Sequence, residues 1–189
     1  MNIIDKFHNW RRKLRWNKQY RNGRWDNLRK PIEAERYYTI LKFINSHGKV
    51  NPSILDLGAG EGVLNEYLDD EMFSYFLGMD FSEVSIEKAK MRKFPKTEFI
   101  TADIHTFTPS QKFDVIIFNE AFYYVHDSEK QHVLDRMLNH LNDDGILIVS
   151  IYREGIGCWE YFEKLQQLDY TIVKTEEEKT YWKIGAYKK

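Results

Sequence analysis

The sequence predicts an α/β fold: seven strands in one sheet, mostly parallel, ending in an antiparallel hairpin, with helices on both faces. Three observations predict it. The first is Ile54-Leu55-Asp56-Leu57-Gly58-Ala59-Gly60-Glu61-Gly62-Val63-Leu64, where a short buried strand end meets a glycine turn and then a helical pattern over 61–68. A strand passing through such a turn into a helix brings bare backbone close to a ligand. The second is a series of apolar segments at 74–80, 97–104, 113–120 and 146–151, separated by helical patterns, as parallel strands joined by crossovers require. The third is the pair 170–173 and 180–187, alternating in polarity on either side of Glu176-Glu177-Glu178, which reads as a hairpin.

The elements follow in order. Residues 2–20 carry helical spacing, with Ile3, Ile4, Phe7, Trp10 and Leu14 on one side, until Arg21-Asn22-Gly23-Arg24 breaks it. Pro31 suits a first helical turn; Tyr37, Ile40, Leu41 and Ile44 line one face of a second helix, and Gly48 stops it. Asn51-Pro52 opens the first strand. The second ends at Asp80, after which Ser82 caps a helix through Ile86 and Ala89 that must end near Pro95. The third strand, Thr97 to Ile104, also closes on an acid, Asp103. The fourth, Phe113 to Glu120, is almost continuously apolar, as a strand covered on both faces should be. Ser128-x-x-Gln131 reads as a capping box for a helix with Val133, Leu134, Met137, Leu138 and Leu141 on one apolar face. Asn142 to Gly145 is a turn before the fifth strand, Arg153 to Gly157 a loop reaching the pocket rim, and Trp159 to Leu168 a helix. The acidic run at 176–178 reads as a solvated turn.

The glycine spacing discriminates between ligands. A dinucleotide fingerprint, G-x-G-x-x-G, needs a third glycine where this chain has Val63. Asp56, beside the turn, would repel a pyrophosphate and suit a cation. Asp80, twenty positions beyond Gly60, can accept hydrogen bonds from both ribose hydroxyls. With Asp103, three carboxylates then lie along one sheet edge, and ligands bind outside the carboxyl ends of such strands.

This run resembles motif I of the class I S-adenosylmethionine-dependent methyltransferases, whose ligand carries a sulfonium and an ammonium and no phosphate. The resemblance covers residues 50–152 well and the flanks more loosely. It implies a Rossmann-like sheet and S-adenosyl-L-methionine as cofactor, held by Asp56, Gly58, Ala59, Gly60, Asp80, Phe81, Asp103, Ile104 and Asn119. Phe81 would lie against the adenine, and Asp103 would accept its amino group beside Ile104. It further implies that residues 1–48 form a helical lid on the substrate side, with residues 49–189 as the core. The fourth strand corresponds to the family's motif IV. Asn119-Glu120-Ala121-Phe122 lacks the prolines of the [DN]-P-P-[YF] form, which argues against DNA, RNA or protein amide acceptors. The aromatic Phe122-Tyr123-Tyr124-Val125-His126-Asp127 looks more like the small-molecule branch.

Methyl transfer from a sulfonium needs a nucleophile held near the methyl and water excluded. A hydroxyl acceptor also needs a base. His126, just past the motif IV loop, is the foremost candidate, with Glu120 and Tyr124 next and His105 weaker; the other reading of His126 is a helix-entry residue. Tyr20, Arg24 and Tyr123 are the candidate substrate contacts. No His, Asp, Glu or Cys cluster has metal-ligand spacing. Acids near motif IV, which a polyamine would want, are replaced by aromatics, which disfavours aminopropyl transfer on this fold.

Residues 1–30 hold ten Lys or Arg against Asp5 and Asp26, a balance of +8 in a chain of net charge −1, so the remainder carries −9. A basic head suggests an anionic acceptor, for instance a nucleotide-linked sugar; the bland reading is a solvated helix face. A second function class uses the same head to dock a non-catalytic, nucleoside-binding relative of the family on an anionic partner. Cys158 is the one cysteine, no apolar run spans a bilayer and no secretory leader is visible. The expectation is a cytoplasmic protein, with its oligomeric state open.

Overall fold

A computed structural model describes the backbone of residues 3–189 and the side chains from Trp10 onward. Seven strands form one sheet in the order β3-β2-β1-β4-β5-β7-β6. They are β1 (Ser53–Leu57), β2 (Tyr75–Asp80), β3 (Thr97–Thr101), β4 (Phe113–Asn119), β5 (Leu141–Tyr152), β6 (Gln166–Lys174) and β7 (Tyr181–Lys188). The first five are parallel, and β7 runs antiparallel to both β5 and β6. The fold is the Rossmann-like one expected, including its terminal hairpin. The chain order reverses between β1 and β4, so the crevice over their carboxyl ends is where such a sheet takes a ligand.

The four α-helices are α1 (Ile3–Arg21), α2 (Pro31–His47), α3 (Glu83–Met91) and α4 (Lys130–Asn139). Alternation along the strands divides the core in two. Ile54, Phe76, Val115, Ile117 and Ile148 face α2 and α3, packing on Tyr37, Ile40, Ile44, Ile86 and Ala89. Leu55, Leu57, Ile116, Phe118 and Val149 face α4, packing on Val133, Leu134 and Met137. Pro31 starts α2, and Gly48 follows its last turn. Ser82 caps α3 by accepting from the Ser85 N–H at 3.2 Å.

Five local expectations are corrected. The helix expected at 61–68 is a single 3-10 turn, Leu64–Tyr67, because Gly60 and Gly62 both adopt left-handed backbone (φ 56° and 75°). The third strand ends at Thr101, which leaves Asp103 in the following turn. Residues 142–145 do not break the chain before β5. They belong to it as an irregularity, with Phe113 paired to Leu141 and Val115 to Ile146. The helix expected over Trp159 to Leu168 is a 3-10 turn, Trp159–Tyr161, with β6 already under way at Gln166. Tertiary burial overrides propensity there: Phe162 is fixed between Phe122 and Tyr187, with ring centroids at 4.8 and 5.6 Å. Ser128 does not cap α4. A 3-10 turn at Asp127–Glu129 precedes the helix, and the His126 ring accepts from the Ser128 N–H.

Of the apolar side expected on α1, only Trp10 and Leu14 have described side chains, and they do not pack on the core. Trp10 and Leu14 are about half exposed. Ile3, Ile4 and Phe7 have side chains outside the described residues. The face turned to the body is built instead from Trp16, Asn17 and Tyr20. Asn17 accepts from the Ser82 hydroxyl at 2.7 Å, and Lys88 donates to the Tyr20 carbonyl at 2.8 Å.

Candidate active site

At the carboxyl ends of β1, β2 and β4 lies a cavity of about 630 Å³, within the range of small-molecule sites. Its floor is the glycine turn. Gly58 has φ 88°, and a Cβ there would meet Asn119 O at 2.9 Å and Ala121 Cβ at 2.8 Å. At Gly60 a Cβ would come within 2.9 Å of the Tyr20 hydroxyl. Both positions therefore require glycine, for backbone conformation and for space. Asp80 closes the turn from β2. Its Oδ2 accepts from the Gly60 N–H at 3.0 Å and its Oδ1 from the Ser82 N–H at 2.7 Å. Burial raises the Asp80 pKa, and these backbone donors oppose the rise.

Of the site candidates singled out in the sequence, fourteen line this one cavity: Tyr20, Arg24, Gly58, Ala59, Gly60, Asp80, Phe81, Asp103, Ile104, His105, Asn119, Glu120, Tyr123 and Tyr124. Two do not. Asp56 lies one layer behind the wall, fully buried, with the Asn119 amide 3.5 Å from its Oδ2 and no hydrogen-bond partner for its Oδ1 among the described groups. Burial, the first cause, pushes its pKa up to about 7; Asn119 and Arg36 act against the rise, and Asp80 adds to it. Asp56 is therefore not part of the cavity lining. His126 is the other. It is exposed, and its Nδ1 is occupied by Ser128 at 2.9 Å. His105 takes its place at the cavity, paired with Asp103 at 2.6 Å and accepting the His126 N–H through Nε2. The Arg153–Gly157 loop is not part of the lining; Tyr152, Glu177, Thr180 and Trp182 supply that rim. Glu177 is thus more than a solvated turn residue.

At the tip of β4, Glu120 has left-handed backbone (φ 54°), which is costly for a residue with a side chain. The turn holds its carboxylate between two hydroxyls: Ser150 donates to Oε1 at 2.6 Å and Tyr123 to Oε2 at 3.1 Å. Burial raises the Glu120 pKa, while the Arg36 charge and the two hydroxyls pull it down.

Arg36 is the principal site residue that the sequence did not disclose. Only 2% exposed, it donates to Asn119 Oδ1 at 2.7 Å and to Glu33 at 3.2 and 3.3 Å, with its guanidinium 4.1 Å from the Tyr37 ring centre. Burial lowers its pKa, but Tyr37, Glu120 and Glu33 outweigh that and hold it fully charged. One arginine among acids on an ordinary helix face gives no pattern to read. Trp16 and Trp25, in the segment expected as a lid, stack their rings at 4.9 Å on the cavity wall.

The N-terminal segment is fastened over this floor. Glu61, within the glycine turn, bonds Arg29 at 2.8 Å and Lys88 at 2.7 Å. Arg12 donates to the Tyr124 carbonyl at 2.7 Å, and Lys13 pairs with Glu83. Among the described residues no group of three or more His, Cys, Asp or Glu is placed to hold a metal ion, and no helix is long and apolar enough to cross a membrane.

Comparison with known proteins shows that residues 49–187 match the methyltransferase domain family. The chain belongs to that family. It is a class I, S-adenosylmethionine-dependent methyltransferase domain. The glycine cradle, the carboxylate of Asp80 and the unpartnered Oδ1 of Asp56 behind it suit that cofactor's cationic, phosphate-free chemistry. A malonyl-[acyl-carrier protein] O-methyltransferase of Bacillus cereus is 31% identical over 159 residues, which are 82% of this chain and 54% of that protein. The chain spans about half the length of the curated relatives it matches. Among solved structures, the N-methyltransferase NodS of Bradyrhizobium japonicum bound to S-adenosyl-L-homocysteine aligns with a TM-score of 0.76 at 20% identity, over 86% of this chain and 90% of that one. The 1,6-didemethyltoxoflavin-N1-methyltransferase of Burkholderia thailandensis gives 0.77 at 15%, over 96% and 89%. At these identities the likeness is one of fold.

Proposed function

We propose that this methyltransferase domain methylates O or N of a small acceptor with an anionic far end, such as a nucleotide-linked sugar. The observation that carries the reading is the continuity of one cavity from the glycine turn and Asp80 to Arg12, Arg24 and Lys30 under the N-terminal segment. Its volume suits a nucleoside cofactor together with a modest acceptor.

S-Adenosylmethionine supplies a methyl already activated by its positive sulfur. The chain's task is to bind, orient and dry the site. Asp80 has lone pairs left for the ribose hydroxyls on both oxygens. Phe81, Asp103 and Ile104 border the adenine end. Arg36 and Asn119 sit where the cofactor's amino-acid end would lie, the guanidinium opposite its carboxylate. Residues 1–48 act as a lid: Tyr20 covers Gly60, and the Trp16–Trp25 stack with Tyr124 excludes water.

Calorimetry with S-adenosylhomocysteine tests the reading. Binding by the wild type is expected, with Asp80→Ala weaker by at least about tenfold, the cost of losing charge-assisted hydrogen bonds. No binding by the wild type refutes it. A labelled-methyl screen of sugar nucleotides, amines and small acids then identifies the acceptor.

A further inference from the structure

We infer that the acceptor presents a protonated nitrogen to Glu120, which takes its proton, and that a carboxylate is not the atom methylated. The inference rests on the methyltransferase reading above and narrows its acceptor class. Three features of Glu120 carry it. The backbone of Glu120 is left-handed, a conformation kept at a cost. Its carboxylate is deeply set at the β4 tip, next to Asn119 and above the glycine turn, and lines the cavity. Each of its oxygens accepts one hydroxyl, from Ser150 and from Tyr123, which aims the group and leaves lone pairs on both oxygens.

The neighbouring charges decide what can approach. Arg36 is the cation beside Glu120; it is bonded to Glu33 and Asn119, and the proposed function also sets it opposite the cofactor's carboxylate. Its charge is thus shared with Glu33 and that carboxylate, which leaves Glu120 in excess at the β4 tip. An acceptor carboxylate would add another negative charge where little water can screen it. An ammonium would pair with Glu120. The rings of Tyr37, Tyr123 and Trp182, also on the wall, tolerate a cation and not an anion. The cations at the mouth, Arg12, Arg24 and Lys30, hold the acceptor's far end and do not oppose this.

The proton count closes. The acceptor R–NH3+ gives a proton to Glu120 and becomes R–NH2. The freed nitrogen pair forms the bond to the methyl carbon as the carbon–sulfur bond breaks, and that pair stays on sulfur. The product leaves as R–NH2CH3+, and Glu120 later releases the proton to solvent. A carboxylate acceptor, already unprotonated, would give Glu120 nothing to do. The malonyl O-methyltransferase relatives are a contrast in this respect, since a malonyl group offers a carboxylate oxygen.

The test needs no acceptor. Sinefungin carries an ammonium where S-adenosylmethionine carries its methyl. Calorimetry compares sinefungin with S-adenosylhomocysteine on the wild type and Glu120→Gln. The expected result is that sinefungin binds the wild type at least tenfold more tightly and that Glu120→Gln abolishes the advantage. Retained S-adenosylhomocysteine binding certifies the variant as folded; if Glu120→Gln fails that check, the wild-type ratio decides alone. A wild-type ratio near one, or an advantage surviving in Glu120→Gln, overturns the inference. Absence of S-adenosylhomocysteine binding by the wild type is a different failure, that of the methyltransferase reading itself.

Discussion

Replacing Asp56 by Asn should stabilise the protein at pH 8 and weaken it as a cofactor binder. The carboxyl is fully buried, its Oδ1 has no partner, and its pKa lies near 7 against 3.8 for a free side chain. The folded protein therefore keeps a proton that the unfolded chain releases. For a raised carboxyl, stability is fully present below about pH 4 and is lost as pH rises through the folded pKa. A shift of about three units corresponds to a loss of roughly 4 kcal/mol by pH 8. The charged groups around Asp56 are Arg36 on α2 and Asp80 on β2, with Tyr37 also facing it. None of them removes the penalty.

An Asn side chain keeps the shape and the hydrogen bonding to Asn119 without ionising. Urea unfolding of the two proteins at pH 4, 6 and 8 isolates the effect. Asp80, Glu33 and Glu120 are raised by burial too, but they are common to both proteins and cancel in the difference. The variant should be near parity at pH 4 and more stable by about 1–4 kcal/mol at pH 8, the lower end allowing for imperfect repacking. Its affinity for S-adenosylmethionine should fall, because the charge balancing the ligand's ammonium and sulfonium is gone. A stability difference that stays flat from pH 4 to 8 would refute the argument.

Three further outcomes are expected. Arg36→Met should weaken S-adenosylhomocysteine by roughly tenfold or more and leave methylthioadenosine, which has no carboxylate, almost unchanged, as measured by calorimetry; equal losses for both ligands would mean that Arg36 only supports the fold. Arg24→Glu should raise the acceptor KM several-fold with S-adenosylhomocysteine affinity within about twofold, the behaviour of a screened charge at a cavity mouth; an unchanged KM would return the basic head to plain surface. His126→Ala should leave kcat within about twofold and cost at most about 1 kcal/mol of stability, as the loss of a capping group does; a hundredfold loss of kcat would restore His126 as the base.

What the sequence disclosed was what depends on local chemistry. Glycine at 58 and 60, acids at 56, 80 and 103, and apolar runs of strand length gave the sheet, its hairpin and most of the cavity floor. What it missed was decided at a distance. The helix expected after β5 is replaced because Phe162 is captured by Phe122 and Tyr187, residues remote in the chain. His126 is the local exception: it follows the motif IV loop, but its ring is bonded to Ser128, two residues on, and it lies outside the cavity lining. Arg36 was invisible because its partner Asn119 is 83 residues away. Trp16 and Tyr20 find their aromatic partners in the loop after α1 and, for Trp16, in the β4 turn, far along the chain.

The deficits of the structure are located where its chemistry is. Buried side-chain polar groups are normally satisfied, so those that are not ask for an account. Among the described residues they are Trp25 Nε1, Arg29 Nη2, Asp56 Oδ1 and Asn65 Nδ2. Trp25 is on the cavity wall, Asp56 is behind it, Arg29 grips Glu61 of the glycine turn, and Asn65 is in the 3-10 turn that follows. The left-handed backbone of Glu120 belongs to the same rim. A protein selected for stability alone would place an amide at Asp56 and a glycine at Glu120. Carboxylates at both positions suit a cation that spends part of each cycle among them. The same reasoning joins the cofactor's sulfonium and the ammonium proposed for the acceptor: both are positive charges brought to strand tips that the fold leaves short of them.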